Sequence, residues 1–277
     1  MTRSRNHLIL AVLTLAALVA AGCSSNDDGG PTPPAFIDET LADDIAQHVG
    51  MTLATDNGGW VYGLTSEPAT LPSGLALAGA RLARAGSTAR DTAFTVGGVT
   101  WTVADSFFTA ANTFQEDYVP ATSTHMSLAS FGGGVLSASG FSARFEHRIR
   151  VAATGLSATN DTLRFAGASR DSSRSWFTSH IGTANGAYRR LLCVGDLAWE
   201  DVVTFKGQAP DAVPDDGFAT ATMNAWRYSN ADTNAIEKSA SAVIVLIAFD
   251  GSTQVKMNVD GHYEYLVDLR TGAVTKL

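Results

Sequence analysis

The run AVIVLIAF at 242–249 is an unbroken series of apolar, largely β-branched residues that stops at Asp250-Gly251. Its length and composition suit a strand buried on both faces. The stop leads into Thr253–Val259, Asp260-Gly261 leads into His262–Leu269, and Thr271-Gly272 leads into a last short strand. Asp-Gly pairs supply the positive φ that tight hairpins need. The C-terminal stretch therefore predicts an antiparallel meander of four strands.

Period-two alternation recurs upstream. Over 141–151, Phe141, Ala143, Phe145, His147, Ile149 and Val151 fall on one face, and Ser142, Arg144, Glu146, Arg148 and Arg150 on the other. Thr92–Val96 and Val99–Val103 flank Gly97-Gly98, a hairpin that sets Phe94 opposite Trp101 and Val96 opposite Val99. Toward the N-terminus the period lengthens. Ile37, Leu41, Ile45, Val49 and Leu53 recur every four residues, with Asp38, Glu39, Asp43 and Asp44 elsewhere on the wheel. Residues 36–53 thus read as an amphipathic helix, stopped by Asp56-Asn57-Gly58-Gly59. Ser73–Gly86 reads as a second helix with a serine cap. The expected fold is mainly β: a single domain over 36–277, with a helical segment at 36–90 and antiparallel sheets over 91–277. A β-sandwich and a strongly curved sheet both satisfy this pattern.

The first residues read differently. Arg3 and Arg5 precede an apolar run from Leu8 to Ala21, which ends at Gly22-Cys23. This run is shorter than the ~18–20 residues a spanning helix needs, and its small-residue end suits cleavage. Leu18-Val19-Ala20-Ala21-Gly22-Cys23 resembles the lipobox of bacterial lipoproteins, with Ala20 where leucine is commonest. The resemblance implies a signal peptide over 1–22, lipid attachment at Cys23 and a membrane-anchored protein of the cell envelope. By the same resemblance, Ser24 after the cysteine implies the outer membrane. Residues 24–35, SSNDDGGPTPPA, read as a flexible tether. Cys193 is the only other cysteine, so a lipidated Cys23 leaves no intramolecular disulfide, and the apolar run around Cys193 predicts a buried thiol.

The chain carries 19 basic and 27 acidic residues, for a formal charge of −8. So acidic a total excludes a general nucleic-acid binder. Basic residues concentrate in 81–190, where eleven face seven acids. Within that segment Arg144, Arg148 and Arg150 share a strand face and form a candidate anion-binding surface, since guanidinium forks match phosphate oxygens. A solvated sheet face, or one covered by the acidic helix, would also account for them.

Catalytic signatures are missing: the sequence holds no Cys-x-x-Cys, His-Glu-x-x-His, Gly-x-Ser-x-Gly, Ser-x-x-Lys or Gly-x-x-x-x-Gly-Lys. His48, His125, His147, His180 and His262 are dispersed, so neither a metal nor a cofactor is expected. Asn230–Asn234 resembles the start of a calcium loop but has Ala235 in place of the turn glycine. Trp60, Tyr62, Trp176, Phe177, Trp199, Trp226 and Tyr228 are core candidates, or a binding surface if a concave sheet face exposes them. The expected function is non-enzymatic binding of an envelope ligand, lipid or protein partner. The alternatives are a hydrolase whose histidine and carboxylate meet only in the fold, and a structural component of the envelope.

Overall fold

The computed structural model describes residues 37–70, 90–116, 118–138, 140–157, 159–177, 189–207, 212–228 and 235–277. All belong to one compact unit, Phe36–Leu277. Cys23, the tether, Ser73–Gly86, His180 and Asn230–Asn234 lie outside the described residues.

Two helices precede the strands. Helix α1 is Glu39–Leu53; its N-cap Asp38 accepts from the amides of Thr40 at 3.0 Å and Leu41 at 3.3 Å. That cap satisfies donors a helix start leaves open. Helix α2, Trp60–Thr70, falls within the expected helical segment 36–90 but begins ahead of the second helix read at Ser73–Gly86. Its first turn carries Trp60, Val61 and Leu64, all fully buried.

Among the described residues, the strands form a single antiparallel 12-stranded sheet that is not closed. They are β1 (Arg90–Val96), β2 (Val99–Thr109), β3 (Phe114–Gln115), β4 (Ser123–Ala138), β5 (Phe141–Thr154), β6 (Thr162–Phe177), β7 (Arg189–Phe205), β8 (Asp216–Tyr228), β9 (Ile236–Phe249), β10 (Gln254–Val259), β11 (Tyr263–Asp268) and β12 (Val274–Lys276). Apart from β3, which pairs only with β2, each strand lies beside its sequence neighbours. One sheet, not two stacked layers, carries the β structure, so of the two expected architectures it is the curved sheet that forms. The hairpin register is as read, with Phe94 opposite Trp101 and Val96 opposite Val99, and both Gly97 and Gly98 have positive φ. The meander of β9 to β12 also forms.

One face of the sheet is the core and the other meets solvent. This corrects the reading of 242–249: Val243, Val245, Ile247 and Phe249 are buried, but Ile244, on the other face, is 48% exposed. The helices lie on the inner face. Leu41, Ile45, Val49 and Leu53 are buried there, and so are Asp44, His48 and Thr52, which makes α1 enclosed over most of its circumference.

Helix-to-sheet contacts reach strands from both halves of the sheet, α1 to β7 and β10–β12, and α2 to β4, β5 and β7. The sheet must curl for its two ends to meet this short helical pair. The loop between the helices marks the meeting point. Thr55 and Asp56 donate their amides to the carbonyls of Leu269 and Arg270 at 2.9 and 3.0 Å, at the β11 end. On its other side Gly58 accepts from Trp101 Nε1 of β2 at 2.9 Å. The Trp101 ring is gripped between Gly63 of α2 and Gly132 of β4, where a Cβ at either would come within 2.4–2.8 Å of it.

Candidate functional site

Strand β5 alternates as its sequence requires: Phe141, Ala143, Phe145, His147, Ile149 and Val151 are buried, and Arg144, Glu146, Arg148 and Arg150 point outward. The candidate arginines therefore share the outer face. They are not alone on it. Register places Arg174 of β6 opposite Arg144, and Arg170 of β6 opposite Arg148. The sequence reading missed both β6 arginines, because Ser169-Arg170-Asp171-Ser172-Ser173-Arg174-Ser175 has polar residues on both faces and shows no apolar alternation.

The five guanidinium groups have little compensation. Arg170 Nη1 donates to Asp196 of β7 at 3.2 Å. Arg144, with 74% of its side chain exposed, stands 3.8 Å from Glu146, beyond hydrogen-bond length. Arg148 lies over the Phe131 ring at 5.4 Å. Arg150 and Arg174 have no ionic partner among the described residues. Beside them is a shallow depression of about 490 Å³, lined by Phe131, Gly133, Val135, Arg144, Glu146 and Trp176.

The acidic helix does not cover this surface. Helix α1 packs on the opposite face, and its acids are engaged elsewhere. Asp44 is held between Arg189, whose Nε donates at 3.0 Å, and Arg227, whose Nη1 donates at 3.2 Å. Asp38 accepts from Lys238 at 2.6 Å, and Asp43 accepts from Lys276 at 3.1 Å and from the Tyr265 hydroxyl at 2.7 Å. Lys238 and the hydroxyl of Thr40 hold Asp38 well below the usual carboxylate range.

A second constellation lies inside. His48 of α1, His147 of β5 and Asp171 of β6 converge with zero side-chain exposure. His48 Nδ1 lies 2.7 Å from Ser175 Oγ and its Nε2 3.5 Å from Asp171 Oδ2; His147 Nδ1 lies 3.6 Å from Asp171 Oδ1. Ser173 donates to Asp171 at 2.7 Å, and the Trp60 indole stacks on His147 at 4.9 Å. Burial opposes charge on His48, yet Cys193 and the Asp171 carboxylate outweigh it and raise its pKa; burial lowers that of His147. Burial works against the Asp171 carboxylate as well, but both imidazoles together hold it low. Two histidines far apart in sequence thus share one carboxylate. All three side chains are fully buried. Among the described residues no group of three His, Cys, Asp or Glu is arranged to hold a metal ion.

The remaining candidates separate by face. Cys193 is buried, as the run around it requires. Trp60, Phe177 and Trp199 are in the core, whereas Trp176, Trp226 and Tyr228 are half-buried on the outer face. This corrects the idea of an aromatic concavity, because helices fill the inner face. His125 meets Thr124 and Asn112, each at 3.1 Å, and stacks on Phe108. No protein-family model, curated protein or solved structure matches this chain.

Proposed function

We propose that this protein is a lipid-anchored component of the bacterial cell envelope that acts by binding, and that its binding surface is the outer face of β5 and β6, which recognises phosphate-bearing anions. One observation carries the proposal: two arginine pairs, Arg144 with Arg174 and Arg148 with Arg170, stand directly across from each other on an exposed face of an acidic protein. Like charges directly opposite on neighbouring strands destabilise a sheet. A ligand that supplies the missing negative charge turns that cost into charge-assisted, bidentate hydrogen bonds. The lipobox resemblance and its tether support the envelope setting, with Cys23 as the attachment point. The hydrolase alternative has its histidine and carboxylate, but both are fully buried.

The test is binding of inorganic polyphosphate to the full chain and to a triple variant, Arg144→Ser, Arg148→Ser and Arg150→Ser. Charge-assisted bonds contribute about 1.5–3 kcal/mol each, so the variant should lose at least ~100-fold in affinity. Unchanged affinity would remove this face from consideration. Lipidation is tested separately, by metabolic labelling with a fatty acid: Cys23→Ser should abolish incorporation.

A further inference from the structure

We infer that the phosphate-bearing partner of this face is the anionic surface of a lipid bilayer, on which the domain lies with β4, β5 and β6 toward the headgroups. This rests on the anion-binding reading above and adds the partner. The decisive feature is what surrounds the arginines. Phe131 and Val135 of β4 are 41% and 55% exposed, and they flank the same depression as Arg144 and the half-buried Trp176. A soluble polyanion neutralises the guanidinium groups but leaves those apolar side chains in water. A bilayer interface takes both. Its phosphates meet the arginines, aromatic side chains settle at headgroup depth, and the apolar parts of Phe131 and Val135 reach the acyl boundary.

Charge supplies the orientation. A molecule with a formal charge of −8 is repelled from an anionic surface in most poses. A face with five arginines and little opposing charge locally inverts that repulsion, so electrostatics favours a pose with this side toward the headgroups. The long arginine side chains also suit an interface, since their stems can lie along apolar surface while the heads stay among phosphates. The depression of about 490 Å³ lies beside Trp176, and Glu146 in its lining can accept hydrogen bonds from the hydroxyls of a glycerol headgroup.

The test uses the full chain reconstituted in vesicles, so its N-terminal segment is the same in every arm. Vesicles of phosphatidylcholine, with or without phosphatidylglycerol, carry brominated acyl chains that quench nearby tryptophan. Quenching several-fold stronger in the anionic vesicles is expected. It should fall to the neutral level in high salt, in Arg144→Ser/Arg148→Ser/Arg174→Ser, and in Trp176→Phe/Trp226→Phe. Each arginine near such a surface contributes about five-fold in partitioning, so the triple serine variant should bind about 100-fold more weakly. The corresponding triple lysine variant keeps the charge and should retain most of the binding, which guards against a folding defect in the serine variant. Equal quenching in neutral and anionic vesicles, with polyphosphate binding intact, would overturn the bilayer proposal and leave the anion-binding reading standing. Loss of both would overturn both.

Discussion

Asp171 holds two histidines in the core, and the charge it carries decides how the protein responds to substitution and to pH. Breaking a buried ionic cluster by removing one partner costs about 3–5 kcal/mol, whereas removing an exposed arginine costs within ~0.5 kcal/mol. Asp171→Ala should therefore shift the urea unfolding free energy by roughly that larger amount, and Arg150→Ser should leave it almost unchanged. The two histidines also titrate in opposite senses. His48 is raised from 6.5 to about 10, so its contribution is complete below pH 6.5 and is lost as pH rises through about 10. His147 is lowered, so below pH 6.5 the unfolded chain takes up a proton that the fold refuses, and stability falls with acidification. Asp171, lowered to about 2 from 3.8, adds stability above pH 3.8 that disappears as pH falls through about 2. Unfolding free energy measured against pH should thus peak near pH 6.5. His48→Gln should flatten its alkaline limb, and an unaltered limb would show that His48 does not carry the proton.

Elements are joined here by close approach as much as by side-chain burial. Trp101 of β2 fits because α2 and β4 each present a glycine to its ring, Gly63 and Gly132. Gly132→Ala should destabilise by ~1–3 kcal/mol through overpacking and should perturb the near-ultraviolet signal of the indole. A gain in stability would mean that this junction holds slack. Helix α1 is fixed by ionic contacts with the C-terminal half of the sheet, at Asp44 with Arg189 and Arg227 and at Asp38 with Lys238. Such pairs explain why a helix that reads as amphipathic is enclosed. Asp44 faces two buried cations of the sheet, while Asp38, Glu39 and Asp43 pair with lysines nearer the rim, and wheel geometry alone cannot separate the two cases.

For the whole molecule, the helices act as the core of a curled sheet. Full burial of Leu41, Ile45, Val49 and Leu53 contributes about 1.5–3 kcal/mol each, a total comparable with the ~5–15 kcal/mol net stability of a domain. A chain that starts at residue 54 should consequently fail to reach the native state and bind a hydrophobic dye. A soluble, cooperatively unfolding product would show that the sheet can fold without α1. Topology carries a kinetic consequence too. Neighbouring strands pair in sequence order, but the loop at Thr55–Gly58 must meet both Trp101 and Leu269–Arg270, so those contacts close late and over long separations.

Local patterning was enough to read the antiparallel meander of β9 to β12, the Gly97-Gly98 hairpin, helix α1 and the outward arginines of β5, because period and turn chemistry are written in consecutive residues. It misjudged 242–249, since a β-branched run looks the same whether one face or both are buried. Strand β6 was illegible for a related reason: its inward residues Ser169, Asp171, Ser173 and Ser175 are polar, and their partners are remote or on the same strand, Ser175 meeting His48 of a helix more than a hundred residues earlier, Ser169 accepting from Trp199 of β7, and Ser173 donating to Asp171. Arg170 and Arg174 joined the arginine face only through register, and His48 met His147 and Asp171 only through the curl of the sheet. Hydrophobic period is a property of neighbours along the chain. Which charges end up facing one another depends on pairing across strands and on which face the helices fill, and those are set by the packed whole.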